Sequence, residues 1–152
     1  MSEWLLTAPQ GSGDRAWLHM RLALWPDGSE ADHLLSMADM LARGHYARLA
    51  VTASGEAIGF AEAAKRVDYV NGTTTSPVAF LEGLYVVPEW RRRGVARTLV
   101  ESVVAWALQQ NLSELASDSL IDNVAAHSAH RALGFEETER VVYFRRPLHQ
   151  PP

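Results

Sequence analysis

The stretch "AFLEGLYVVPEWRRRGVARTLVESVVAWAL", Ala79 to Leu108, constrains this chain more than any other. Its first part reads as a buried strand that Pro88 ends, because proline has no N–H for a ladder and fixes its own φ. After it, Val95, Leu99, Val103 and Trp106 fall on one face of a helix. A strand that turns directly into an amphipathic helix needs a sheet with that helix packed across it, so the expectation is a layered fold.

The flanking sequence extends the layers. "GDRAWLHMRLALWP" and "SEADHLLSMADMLARG" read as two helices. Ser12 or Asp14 caps the first and Pro26 closes it; Ser29 caps the second, Leu34, Met37, Ala38 and Leu41 form its stripe, and Gly44 stops it. Both precede any expected strand. "ARLAVTA" and "AIGFAEAAKRV" read as strands joined in an antiparallel hairpin at "SGE". Beyond the central helix come a short strand at "SELASDS", a helix in "DNVAAHSAHRALG" stopped by Gly134, and a final strand in "ETERVVYFRRP"; the tail "LHQPP" is expected to fray. With no repeat, linker or low-complexity tract, the 152 residues read as one α+β domain in α/β/α layers.

Composition removes several function classes. At 47% hydrophobic and 21% charged residues, the chain is globular, with no apolar run of membrane-spanning length. A net charge of −4 argues against a nucleic-acid binder, which needs a broad basic face, so any basic site is local. The absence of cysteine excludes disulfides, thiolate metal sites and a cysteine nucleophile. The beginning lacks the pattern of a secretory signal, and the expected location is the cytoplasm.

That local basic site is "RRRG". A helix N-terminus carries unpaired N–H groups and partial positive charge, and a glycine before it lets backbone approach phosphate oxygens. Arg91, Arg92 and Arg93 add full charges, while Gly94 and Ala96 keep the approach open. Read alone, the same residues also suit a solvated basic loop. The segment has neither the Gly-Lys-Ser/Thr ending of a Walker loop nor the three glycines of a dinucleotide fingerprint.

"VVPEWRRRGVARTLV" resembles the pyrophosphate-binding segment of GNAT-type N-acetyltransferases, Arg/Gln-x-x-Gly-x-Gly/Ala after a strand, with Arg91, Gly94 and Ala96 in the matching places. "ASDSLIDNVAAHSAHRALGFEE" is similar to the family's later acetyl-CoA segment, where an Asn, here Asn123, opens a helix that ends in Gly-Phe, here Gly134 and Phe135. The phrases "LWPDGSEADHL", "DYVNGTTTSPVAFLEGLYVVP" and "LGFEETERVVYF" further resemble bacterial aminoglycoside 6′-N-acetyltransferases. The resemblance implies a mixed, mostly antiparallel sheet with helices on both faces and a splayed central strand. It also implies acetyl-CoA as co-substrate, direct transfer in a ternary complex, a small-molecule aminoglycoside as acceptor, and resistance to that antibiotic. A homodimer joined through "VVYF" is expected, as relatives in this fold often pair.

By the same resemblance, Tyr85, Val86 and Val87 on the splayed strand meet the pantetheine arm and give one backbone N–H to the acetyl carbonyl. Arg91, Arg92, Arg93, Gly94, Val95, Ala96 and Arg97 surround the pyrophosphate, with Asn123 and His130 on the later segment. His130 stands where many relatives have the Tyr that protonates the leaving thiolate, so it is either that acid or the thiolate leaves unaided. Glu82, Asp118 and Glu139 would hold substrate ammonium and hydroxyl groups, and Trp25 and Tyr69 would wall them in. A bland reading stays beside each: Trp25 as core, Tyr69 as a loop anchor, Asp118 as a cap and Glu139 as a solvent-facing residue.

Glu82 also stands out without the resemblance. Alternation along "FLEGLYV" places it with Phe80 and Leu84 on one face of an apparently central strand, and an unpaired buried carboxylate there costs several kcal/mol. It therefore needs a cleft, a raised pKa or an arginine such as Arg66 or Arg140. With a cleft it is the first candidate base for the substrate ammonium, with Asp118 the second and Tyr85 contributing backbone. His127 and His130, three apart, lack a third ligand at metal spacing, so no metal is expected. Two other readings remain: an acetyltransferase for another polyamine or a protein amine, and a CoA-binding module without catalysis.

Overall fold

The computed structural model describes residues 3–149 and divides into two compact units, one ending at Asp118 and the other beginning at Ser119. The first unit holds a five-stranded sheet in the order β1 (Trp4–Thr7), β2 (Tyr46–Thr52), β3 (Ala57–Arg66), β4 (Val78–Val86) and β5 (Leu115–Ala116). The first three pairings are antiparallel and β4–β5 is parallel. It is the mixed, mostly antiparallel sheet that the sequence implied. β5 meets β4 only at Ala79 and Phe80, so the strands part company over the rest of β4.

Helices cover both faces. α1 (Arg15–Leu24) and α2 (Glu30–Ala42) lie on one, and α3 (Val95–Gln109) lies on the other. Local chemistry places their starts. Asp14 accepts from the Trp17 N–H at 3.1 Å, which selects it over Ser12 as the cap of α1. Ser29 and Asp32 make a reciprocal capping box at the start of α2. Under α1 and α2, Trp17, Leu18, Met37 and Phe60 are fully buried, each contributing about 1.5–3 kcal/mol through loss of water contact. On the opposite face Val95, Leu99, Val100 and Val103 are buried, and Trp106 stacks on Tyr46.

The second unit contains α4 (Val124–Ala132), capped by Asn123, whose side chain accepts from the Ala126 N–H at 3.1 Å. Gly134 follows it at φ +95°, a conformation glycine adopts without penalty.

Four expectations are corrected. A strand, β1, precedes the two helices; its four residues were too short a run to stand out. The inward face of α2 is His33, Met37 and Met40, whereas Ala38 and Leu41 are exposed, because a satisfied histidine replaces an apolar residue in the stripe. β5 stops at Ala116, so Asp118 lies two residues past its end. "ETERVVYFRRP" forms no strand: Val142, Tyr143 and Phe144 are exposed, and β-propensity without a partner strand leaves backbone groups to water. Of the tail "LHQPP", residues 150–152 lie outside the described residues. No helix among the described residues is long and apolar enough to cross a membrane.

Candidate active site

β4 organises the candidate site, and its one irregularity decides what points where. Glu62 pairs with Gly83 and Ala63 with Leu81, so Glu82 is an extra residue in β4, a bulge. Phe80 lies opposite Ala64 and Tyr85 opposite Phe60, on the side of α1 and α2; Leu84 lies opposite Ala61, whose neighbour Gly59 faces α3. The bulge therefore breaks the expected alternation and separates Leu84 from Glu82.

Glu82 is not the sealed carboxylate. Arg66 binds it through two parallel bonds, Nε to Oε1 at 3.0 Å and Nη2 to Oε2 at 2.8 Å, and its side chain is still 31% exposed. The arginine partner considered as the bland alternative is thus present, together with an opening. The same guanidinium lies 3.5 Å from the Phe80 ring centroid.

The sealed carboxylate is Glu62 on β3, 1% exposed, a residue that sequence reasoning passed over. It accepts from Arg21 Nη1 through both oxygens and from Trp17 Nε1 at 3.2 Å. Arg21 also donates from Nη2 to Ser36 Oγ at 3.0 Å and from Nε to His33 Nδ1 at 3.2 Å. Burial lowers the Arg21 pKa to about 10, so the guanidinium stays charged at neutral pH. A glutamate between alanines in the otherwise apolar run "AIGFAEAA" of β3 was the available signal.

These residues floor a cavity of about 500 Å³ lined by Trp25, Asp32, Asp39, His45 and Glu82, with Arg21, His33, Ser36, Met40 and Glu62 behind them. Four carboxylates face one arginine within this lining. Contacts from Ser29, its side chain first and then its backbone N–H, hold the Asp32 carboxyl below its usual range. The cavity is acidic and has an aromatic wall, a combination that favours a cation carrying several polar groups.

Beyond β4 the chain turns through the short 3-10 segment Pro88–Trp90 into the arginine turn. Gly94 caps α3 at φ +94°, and a Cβ added there would meet no atom within 4 Å, leaving open space in front of the helix N-terminus. Arg91 folds back, with Nε donating to the Val86 carbonyl at 2.8 Å and its guanidinium over the Tyr85 ring; Arg93 lies over Trp90. Arg92 takes φ +63°, and all three arginines are exposed. Val95 is buried, Ala96 half-buried and Arg97 exposed in the first turn of α3. Charge, glycine and open helix end fit a pyrophosphate.

Among Tyr85, Val86 and Val87, the N–H groups are not equivalent. Val87 N–H donates to the Ile58 carbonyl at 2.9 Å, which removes it as a donor to an acetyl oxygen. Antiparallel bonding alternates, so Tyr85 N–H also turns towards β3 and Val86 N–H turns to the edge that β5 leaves uncovered.

Only Trp25 and Glu82 among the expected substrate residues share the cavity. Tyr69 is 71% exposed on the loop before β4, and Asp118 is exposed at the end of the first unit. Glu139 lies in the second unit, exposed and outside any strand. In that unit His130 Nδ1 sits 2.7 Å from the Ala126 carbonyl, so Nδ1 carries the proton there; His127 Nε2 pairs with the Leu120 carbonyl at 2.9 Å. No group of three or more His, Asp or Glu side chains suited to a metal occurs among the described residues.

The acetyltransferase (GNAT) family model matches residues 15–135 of the chain. This chain belongs to the GNAT acetyltransferase family. Within it, the chain is 55% identical over 134 residues to an aminoglycoside N(6′)-acetyltransferase type 1 of Stenotrophomonas maltophilia, covering 88% of this chain and 86% of that one. The crystal structure of the aminoglycoside 6′-N-acetyltransferase AAC(6′)-Ih from Acinetobacter baumannii matches with a TM-score of 0.89 at 44% identity, covering 96% of this chain and 99% of that one. AAC(6′)-Iy, solved with the bisubstrate analogue CoA-S-monomethyl-acetylneamine, matches with a TM-score of 0.88 at 40% identity, covering 96% and 99%. These GNAT relatives share the layered sheet on which the acidic cavity and the arginine turn sit at successive points along one stretch of chain.

Proposed function

We propose that this GNAT chain transfers the acetyl group of acetyl-CoA to the 6′-amino group of aminoglycosides and thereby confers antibiotic resistance. The observation that carries the reading is the continuity of β4: it places Glu82 at an acidic, aromatic-walled cavity and then leads into a cationic turn. A polycationic acceptor suits the first and a pyrophosphate-bearing donor the second. The family match runs without interruption past Asp118, which supports reading the whole chain as one acyltransferase domain.

Acetyl-CoA, when bound, supplies the acetyl group as a thioester. Arg91, Arg92, Arg93 and the amides opening α3 would hold its pyrophosphate, with Val95, Ala96 and Arg97 in the same turn and Asn123 and His130 contributing from the later segment. Transfer forms an N–C bond, breaks the C–S bond, removes a proton from the amine and releases a thiolate. Glu82 is the acceptor for that proton: it lines the cavity, and its side chain is exposed enough to pass the proton to water. Asp118 is the second acceptor. Val86 N–H is the donor that polarises the acetyl carbonyl, and Tyr85, whose own N–H turns to β3, holds that stretch of strand in register. The His130 tautomer with hydrogen on Nδ1 leaves no N–H on Nε2, so the thiolate departs without a proton from this residue unless the ring is doubly protonated. Trp25 walls the cavity beside Glu82, and the resemblance alone adds Tyr69 and Glu139 to the substrate residues.

Following free thiol with acetyl-CoA and a panel of aminoglycosides tests the reading. Release is expected with 6′-amino compounds and not with 6′-hydroxyl ones; no release with any 6′-amine overturns it, and faster release with a simple polyamine or peptide assigns another acceptor. Gly94→Asp should raise the acetyl-CoA KM at least about tenfold, beyond the effect of Gly94→Ala, which tests the strain of φ +94° without the added charge.

The working form is a homodimer in the cytoplasm, where acetyl-CoA is available. Its support is the run from Val141 to Phe144, which is exposed and forms no strand within the chain; a second copy would provide the missing ladder partner. Light scattering should give the mass of two chains, and Tyr143→Asp with Phe144→Asp should give one. A monomeric unmodified protein excludes the pairing.

A further inference from the structure

We propose that His33, with the Arg21–Glu62 pair behind it, is a positioning device that holds the edge of the Trp25 indole against Gly83, and that this placement governs how tightly the cavity binds its amine substrate. The inference rests on the reading of the cavity as the amine site, and adds residues that neither sequence motif contains.

Trp25 follows the last turn of α1 and is followed by Pro26, and its backbone makes two bonds, from its N–H to the Arg21 carbonyl at 2.8 Å and from the Gly28 N–H to its carbonyl at 3.4 Å. Its ring meets Phe60 edge-on at 6.2 Å between centroids, and the polar contacts that orient it come from the sealed cluster. His33 Nδ1 accepts from Arg21 Nε, so the neutral ring carries its hydrogen on Nε2 and donates it to the Trp25 carbonyl at 3.0 Å. One tautomer satisfies both bonds. The imidazole also stacks with the indole at 17° between planes, and the Arg21 guanidinium lies 4.9 Å from the Trp25 ring centroid. Gly28 closes over the joint: a Cβ there would come within 3.0 Å of His33 Nε2.

The far edge of the indole rests where a side chain would otherwise be. A Cβ on Gly83 would lie 2.5 Å from Trp25 Cη2. Gly83 is the residue after Glu82, so the bulge that sets Glu82 at the cavity also brings the bare glycine to the edge of the ring. The indole is thereby fixed beside the carboxylate that meets the substrate. Trp17 supplies the contrast. It donates to Glu62 and is fully buried, whereas Trp25 is only partly buried and lines the cavity. A buried ion pair adds little net stability over apolar packing, but its directional bonds define one geometry.

The test is a double-mutant cycle on amine affinity, measured with kanamycin A by steady-state kinetics and by calorimetry. Gly83→Ala pushes on the Cη2–Cζ2 edge of Trp25 and should raise the KM and Kd for kanamycin A about tenfold, with kcat and the acetyl-CoA KM changed less than about threefold. His33→Ala should act in the same direction. In a Trp25→Leu background, which itself weakens binding, neither change should have a further effect above about twofold, because the displaced ring is gone. Unaltered amine affinity in a folded Gly83→Ala protein overturns the proposal, as does multiplication of its effect with that of Trp25→Leu. Should His33→Ala fail to fold, Gly83→Ala decides alone. Lack of thiol release by the unmodified protein counts against the transfer reading, while calorimetry still reports on the positioning of Trp25, and absence of kanamycin binding overturns both.

Discussion

Glu62 and Glu82 stand on neighbouring strands, each bonded to an arginine, yet the first side chain is 1% exposed and the second 31%. The sealed pair has Trp17, Ser36 and His33 around it, so every polar atom is committed and neither partner can exchange. The open pair has water on one side. An arriving ammonium group can displace Arg66 from Glu82 at small cost, because exposed ion pairs contribute only about 0–1 kcal/mol. The same two side-chain types therefore make a fixed frame at one position and an exchangeable site at the other, and solvent access makes the difference.

The largest expected effect tests the frame. Glu62→Gln leaves the Arg21 charge uncompensated in a sealed space and should lower unfolding free energy by about 3–5 kcal/mol in a denaturant titration; a change below about 1 kcal/mol would show that the two pairs are equivalent. Next, Glu82→Gln should reduce kcat/KM for the amine by about 100-fold through loss of the proton acceptor, with stability altered by less than about 1 kcal/mol. If instead it destabilised the fold as Glu62→Gln does, the contrast would fail. Arg66→Ala sharpens it further: removing the competitor of the substrate ammonium should lower the amine KM about threefold.

A third carboxylate gives the smallest effect and a useful limit. Glu114 is half-buried and has hydrogen bonds in place of an arginine: the Thr75 hydroxyl first, then the Thr74 N–H, hold its pKa below the ordinary value. Its contribution to the 73–76 loop is therefore complete above the ordinary glutamate value and lost as the pH falls through the lowered one. Thr74 and Thr75 amide resonances should move in that acid window, and Glu114→Gln should abolish the movement.

Local features of this fold were legible in the sequence because their chemistry is local. Ser29 and Asn123 cap through side chains reaching three residues on, and Pro88 ends a strand by what it lacks. The arginine turn belongs to this group. Features that depend on register were not legible. Nothing in "FLEGLYV" marks the extra residue in β4, so simple alternation assigned burial to Glu82, while Glu62, its counterpart across the ladder region, carried it. The stripe of α2 was misphased for a related reason: His33 is an acceptable inward residue only because Arg21 and the Trp25 carbonyl, distant in sequence, satisfy it. The run "VVYF" has the side chains of a strand, but pairing is a property of two segments and only one is visible in a motif.

The extra residue in β4 also bears on how this gene product can drift. Loss of the single codon for residue 82 would leave Leu81 opposite Ala63 and Gly83 opposite Glu62, now as direct neighbours in a plain ladder. Tyr85 would stay opposite Phe60 and Leu84 opposite Ala61, but the cavity would lose its open carboxylate. The strand can thus spare that residue without losing its register, and what retains it is the site and not the sheet.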